Sequence, residues 1–367
     1  MRIVVTLPWG ERLGGAEAML QAVLDGVPAS GHEVEPVFFE DGPWAAELRA
    51  AGFRVEVIPA GHLREGHRWA ATVLRLAALL RRRKPNLVLN WAAKTQLYGA
   101  PAAMLAGIPG RVVWWQQGIP DGFWLDRYAT LLPARAIGCY SHTAATAQRR
   151  LRPARKTFVV AAGAPAPASN GHAPTPALSL PAGVPVVGIV GRLQPWKGQD
   201  RMLQAQALLR ERGHEIQLLV VGGDAYERSA EYAASLPAIA GRLGLADAVT
   251  FTGQVPDAGP YIERMDILVN ASDPEPFGIV LLEGMARAVP VVAVDAGGPS
   301  EFIADRRTGV LARSGEPAAL ADALEVLLSA PELRRQVGQA GCERYAAEFT
   351  DVALRGRFFD NLQALAG

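Results

Sequence analysis

Short runs of β-branched and apolar residues recur along the chain, separated by longer segments of helical period. That alternation is expected of parallel strands covered by helices on both faces. In the first half it predicts strands near Ile3–Leu7, Val34–Phe39, Val55–Ile58, Leu87–Asn90, Val112–Trp115, Ala136–Tyr140 and Phe158–Val160. The clearest helix carries Trp69, Val73, Leu76 and Leu80 on one face, ends in Arg81–Lys84 and stops at Pro85. Cations in a last turn suit the negative end of a helix.

From Ala161 to Pro185 periodicity disappears and alanine, proline, serine and glycine dominate, which predicts a linker. Alternation resumes with strands near Val186–Val190, Leu218–Val221, Val249–Phe251, Ile267–Val269 and Val291–Val294, followed by helical patterns at Ala318–Leu328, Pro331–Ala347 and Val352–Leu365. The expected layout is an α/β chain with a Rossmann-like domain over 1–163, a linker over 164–184, a second Rossmann-like domain over 185–347 and a terminal helical segment over 348–367.

The chain has 367 residues, half of them hydrophobic, which fits two cores better than one. With 37 basic against 36 acidic side chains, no global field favours nucleic acid. Two distant cysteines, Cys139 and Cys342, make neither a disulfide framework nor a zinc cluster, and a cytoplasmic setting is expected. No signal-peptide pattern opens the chain, and no apolar run approaches the roughly 20 residues of a membrane helix. Arg149, Arg150, Arg152, Arg155 and Lys156, with the basic end at Arg81–Lys84, leave two readings: weak peripheral contact with anionic lipid at an inner membrane face, or solvated helix ends.

In open α/β sheets ligands bind beyond the carboxyl ends of strands, so the loops there carry the candidate chemistry. The first such loop, Trp9–Glu17, brings Gly10, Gly14 and Gly15 to the start of a helix. The loop after the first strand of the second domain, Gly191–Gly198, holds Arg192 and Lys197. A planar guanidinium fork and a compact ammonium together suit a diphosphate. A third segment, Asp273–Glu283, sets Glu275 and Glu283 eight positions apart around Pro276-Phe277-Gly278, with a helix expected to start near Gly278. Its first amides would point at an anion, and the two carboxylates would touch different parts of one ligand.

These residues resemble the retaining GT-B glycosyltransferases of family four, the glycosyl transferases group 1. The resemblance rests on Glu275-x7-Glu283 with its Pro-Phe-Gly centre, Gly191-Arg192 with Lys197-Gly198, Gly297-Gly298-Pro299-Ser300-Glu301 and the Thr308-Gly309 turn. It implies the GT-B fold, two Rossmann-like domains whose parallel sheets face across a cleft, and a nucleotide-diphosphate sugar as co-substrate with no cofactor and no metal. Arg192 and Lys197 would grip the donor diphosphate, Glu283 the ribose hydroxyls and Glu275 the transferred sugar. Amides of Phe277, Gly278, Ile279 and Val280 would contact sugar and phosphate, Gly15 would close over the phosphates, Val255 would lie near the base, and the last helix would cross back to the first domain.

Many relatives carry a histidine where this chain reads Trp114-Trp115-Gln116-Gln117-Gly118, so Gln117 would take its place toward the donor sugar, without an imidazole for proton transfer. Trp9, Trp44, Trp69, Trp91, Trp114, Trp115 and Trp124 crowd the first half. Trp44 and Trp69 are expected in packing, while the others leave open a stacking surface for a carbohydrate or lipid-linked acceptor. A nucleotide-sugar epimerase, a phosphorylase or a catalytically silent scaffold subunit are the alternatives.

Overall fold

The computed structural model describes the chain except for residues 13, 62, 153, 168–177, 179, 225–228 and 367. The chain divides into two compact units, residues 1–162 with 352–367, and residues 163–351. Most of the stretch expected as a linker lies outside the described residues. At its start, Ala164 already pairs with Thr350 and so joins the second unit.

The first unit is built on a seven-stranded parallel sheet in the order β3-β2-β1-β4-β5-β6-β7. Its strands are β1 (Arg2–Leu7), β2 (Glu33–Phe38), β3 (Glu56–Val57), β4 (Leu87–Asn90), β5 (Val112–Gln116), β6 (Ala136–Cys139) and β7 (Thr157–Val159). The two longest are buried almost throughout, as a sheet covered on both faces requires. Pro36 sits inside β2 although that strand is flanked on both sides, by β1 and β3. The helix Gly66–Arg83 buries Val73, Leu76 and Leu80, and Lys84 closes it in the left-handed region at φ 49°.

Three of the tryptophans near strand ends are core residues. Trp91, Trp114 and Trp115 are fully buried, and Trp91 stacks on Trp115 at 5.0 Å with Phe358 of the last helix 5.2 Å from Trp115. Their indoles are therefore packing residues, which corrects the acceptor-stacking reading for these three. Trp44 is buried as expected.

The second unit holds a six-stranded parallel sheet in the order β10-β9-β8-β11-β12-β13. Its strands are β8 (Val186–Val190), β9 (Gln217–Val221), β10 (Val249–Phe251), β11 (Ile267–Asn270), β12 (Val291–Val294) and β13 (Val310–Ala312). The edge strand β13 is an addition to the strands expected from the sequence. The helices Gln199–Glu211 and Pro317–Leu328 cover one face, with Met202, Leu203, Leu209, Leu320, Leu324 and Leu327 in one apolar cluster with the sheet. The final helix, Asp351–Ala366, buries Leu354, Phe358, Phe359 and Leu362; its Arg355 Nε donates to the carbonyl of Ala22 at 2.7 Å in the first unit.

Candidate active site

Backbone geometry gathers three loops at the carboxyl edge of the second sheet. Past β8 the chain is zipped to the loop after β9: the Gly191 amide donates to Val221 and the Leu193 amide to Gly223, which fixes Arg192 between them. The Gly222 amide in turn donates to Gly253, tying in the loop after β10 that carries Val255. Gly222 is obligatory here, because at φ 135° an added Cβ would stand 2.0 Å from the Gly191 oxygen. Gln199 Nε2 holds the Arg192 carbonyl at 2.9 Å.

The turn Pro195–Lys197 then delivers Lys197, whose Nζ lies 2.7 Å from Glu275 Oε2 and 4.0 Å from the Trp196 ring centroid. Asn270, at the end of β11, donates to the same carboxylate oxygen at 3.0 Å. Burial pushes the Glu275 carboxyl up, but the Lys197 charge and the hydrogen bonds from Lys197 and Asn270 outweigh it, leaving the group below the ordinary carboxylate range. Lys197, Gln199, Asn270, Ala271 and Ser272 line a small pocket with Ile189 and Val190.

The segment after β11 includes the cis bond Asp273–Pro274 and is clamped to the loop after β12. Glu275 donates its amide to Ala296 and accepts from Gly298 at 2.8 Å. Gly297, at φ 96°, has room for no side chain: a Cβ would meet the Glu275 oxygen at 2.1 Å. Phe277 is buried and stacks on Phe302 at 5.1 Å, so its side chain anchors the turn. Gly278, left-handed at φ 95°, caps the helix Ile279–Met285, in which Ile279 and Val280 open the first turn.

Glu283 stands in the second turn of that helix. Burial is the main cause that pushes its carboxyl up to about 7, with Arg287 opposing and Asp257 adding to the rise. Arg287, the natural partner, instead donates to the Glu283 backbone carbonyl at 3.1 Å and pairs with Glu263 at 3.4 Å. Gly259, four residues past Val255, lies against both the Arg287 guanidinium and the Asp257 carboxylate, which sets this loop beside the C-terminal end of the helix. Arg192, Lys197, Val255, Glu275, Phe277–Val280 and Glu283 thus all belong to one edge of one unit. Asn270 and Gln199, which hold Glu275 and Arg192, were not singled out from the sequence; as strand-end and helix-start amides they carry no spacing signal.

Gly15 and Gln117 lie in the first unit. Gly15 is exposed at the start of the helix Gly15–Asp25, after an extended Gly14, in a loop whose Leu13 is outside the described residues. Gln117 follows β5 and is half-buried, and its Nε2 donates to the Trp91 carbonyl at the end of β4. Its neighbour Gln116 reaches Asp126 at 3.0 Å and Gln148 at 3.2 Å.

Residues 176–344 match the family model of glycosyl transferases group 1. Over 165 residues the chain is 37% identical to a D-inositol 3-phosphate glycosyltransferase of Nocardia farcinica, covering 44% of this chain and 36% of that protein. It is 32% identical over 189 residues to the lipopolysaccharide core biosynthesis glycosyltransferase LpsE of Rhizobium meliloti, covering 52% of each. The chain thus spans about half the length, or less, of these curated relatives. In three dimensions it matches Anabaena HepE, solved in complex with UDP-glucose, at a TM-score of 0.84 and 24% identity over 99% of this chain and 100% of that one. The lipopolysaccharide glycosyltransferase WaaG matches at 0.74 and 18% over 100% of both chains.

Proposed function

We propose that this chain, whose residues 176–344 match the model of the glycosyl transferases group 1 and whose fold is that of HepE, is a glycosyltransferase that moves a sugar, with retention of configuration, from a nucleotide-diphosphate sugar to a carbohydrate or lipid-linked acceptor. The observation that carries the reading is the pairing of Lys197 with Glu275, beside the Arg192 loop and the Gly278 helix start, at the sheet edge where α/β folds bind ligands. HepE, which shares the fold, holds UDP-glucose, and that supports a nucleotide-sugar donor.

In this reading Arg192 and Lys197 neutralise the diphosphate, and Lys197 exchanges part of its contact with Glu275 for phosphate oxygen. Amides of Phe277, Gly278, Ile279 and Val280 add donors toward phosphate and sugar, and Val255 flanks the base. Glu283 accepts from the ribose hydroxyls, and Glu275 faces the transferred sugar. In the first unit, Gly15 serves the phosphates by its backbone and Gln117 the sugar by its amide. The acceptor hydroxyl attacks on the face from which the diphosphate leaves, and the departing phosphate oxygen takes the hydroxyl proton. Rate comes from stabilising the leaving group with fixed cations and dipoles, so no divalent metal is required.

A panel of nucleotide sugars screened by thermal shift, with excess chelator present, tests this. One donor should raise Tm, because a ligand bound to the folded state stabilises it by mass action. Arg192→Ala should remove the shift, since charged hydrogen bonds are worth about 1.5–3 kcal/mol each. If no nucleotide sugar shifts Tm, or if only added manganese allows one to do so, the reading falls.

A further inference from the structure

One helix of the first unit turns large aromatic side chains to the surface. In Trp124–Leu131, Asp126 accepts from Gln116 at 3.0 Å and Thr130 accepts from Gln148 at 2.8 Å beside the buried Ala129, while Arg127 is exposed. The large apolar side chains face water. Trp124, Tyr128 and Leu131, spaced four and three apart and so on one face, are 48%, 59% and 60% exposed, and Phe123 just before them is 56% exposed. Phe123 packs on Trp124 at 5.7 Å and Trp124 on Tyr128 at 6.1 Å, so the three rings make one contiguous patch, and Leu131 follows Tyr128 by three positions on the same helix face. A surface helix normally presents the reverse arrangement. Here the inward hydrogen bonds lock the aromatic face outward.

The surroundings of the patch say what it meets. Between positions 121 and 156 the sequence holds seven cations (Arg127, Arg135, Arg149, Arg150, Arg152, Arg155 and Lys156) against two acids, Asp121 and Asp126, in a chain whose net charge is only +1. Arg152 and Arg155 donate to the carbonyls of Leu131 and Leu132, which holds the basic turn against the end of this helix. Asp126 is turned inward, so it does not offset the cations at the surface. Exposed Trp and Tyr beside cations match the interfacial zone of a bilayer, where amphipathic rings sit at headgroup depth. Each cation close to an anionic surface adds attraction that salt screens.

We propose that the face formed by Phe123, Trp124, Tyr128 and Leu131, with its collar of arginines, docks the protein on an anionic lipid surface. The inference is independent of the donor chemistry, which uses none of these four side chains. A neutral bilayer offers the rings an interface without the charge attraction, and a soluble anionic protein offers the charge without a place for four apolar side chains. An anionic membrane satisfies both.

Vesicle co-sedimentation of the full chain tests it, with pure phosphatidylcholine compared with phosphatidylcholine containing about a third phosphatidylglycerol. The expected result is binding to the anionic vesicles that weakens at high salt. The paired substitution Trp124→Ser with Tyr128→Ser should lower the partition coefficient at least tenfold, and Arg149→Ser with Arg150→Ser should weaken binding to anionic vesicles alone. All these side chains are at the surface, and unchanged Tm and donor-induced thermal shift would show the variants to be folded. Equal binding of parent and Trp124→Ser/Tyr128→Ser protein, or no binding to either vesicle, overturns the proposal. So does a dimer, seen by light scattering, that this double variant abolishes while vesicles are ignored, because the patch would then meet a second copy.

Discussion

At the scale of single residues, the ion pair of Lys197 with Glu275 joins stability to the proposed ligand binding. Removing one member leaves the other buried and uncompensated, which costs about 3–5 kcal/mol, whereas apolar replacement of both is often neutral. Lys197→Ala should therefore lower the denaturant midpoint and weaken nucleoside diphosphate binding, while Lys197→Met with Glu275→Leu should recover stability without recovering affinity. Denaturant unfolding beside calorimetry separates the two; if the double variant is as unstable as the single one, the pair is not the cause. Because Glu275 is held below the ordinary carboxylate range, the stability its charge contributes is present above that range and is lost as pH falls through the native value. Glu283 has the opposite sign. Its carboxyl, at about 7 in the folded state, favours the protonated form, so its contribution is fully present in acid and disappears as pH rises toward 7. Ribose hydroxyls favour the ionised form, so nucleoside diphosphate affinity should rise with pH up to about 7 and then level. Titration calorimetry of Glu283→Gln, which removes this group but not the phosphate's own titration, should show a flatter profile; identical profiles would take Glu283 away from the ribose.

At the scale of elements, the loop after β12 is a buttress for the 275–278 turn. Gly297→Ala would place a methyl 2.1 Å from the Glu275 oxygen at a left-handed φ of 96°. Such a change belongs to the severe class, about 2 kcal/mol or more, and it should abolish the donor-induced thermal shift even at temperatures where the variant stays folded. Normal donor response in folded Gly297→Ala protein would show that the 275–278 turn does not depend on this contact. Strands with four or more buried positions were legible in the sequence because their apolar runs end in glycine, proline or a helical period. β13 was not: Val310–Ala312 lies directly between the Thr308-Gly309 turn and Arg313, and that stretch reads as the turn, whereas β10, equally short, stands clear of one. The cationic and acidic residues of the candidate site stand out in the sequence as motifs, whereas the pairing of Lys197 with Glu275 across 78 positions depends on how two loops meet at a sheet edge. Tryptophan at a strand end was ambiguous because an indole suits a sugar face and a core equally well, and only the last helix, by supplying Phe358, decides the matter for Trp91 and Trp115.

At the scale of the whole molecule, the first unit is discontinuous, closed by residues 352–367. Phe358 is 2% exposed against the tryptophan pair. Phe358→Ala should cost about 3–5 kcal/mol, and the loss should fall on the first unit. Hydrogen exchange should then show lost protection in β4 and β5 with β8 and β11 unchanged; a uniform loss across both sheets would mean that the units melt as one. The same discontinuity sets a timetable for synthesis. The ribosome makes residues 1–162 first and must then complete all of 163–351 before the closing helix exists. At ~5–20 residues per second that interval is roughly 10–40 s, during which the face that Phe358 will cover stays open on the nascent chain. The second unit, continuous in sequence, has everything it needs as soon as its last strand and helices emerge. The half of the protein translated first is therefore the half that finishes folding last.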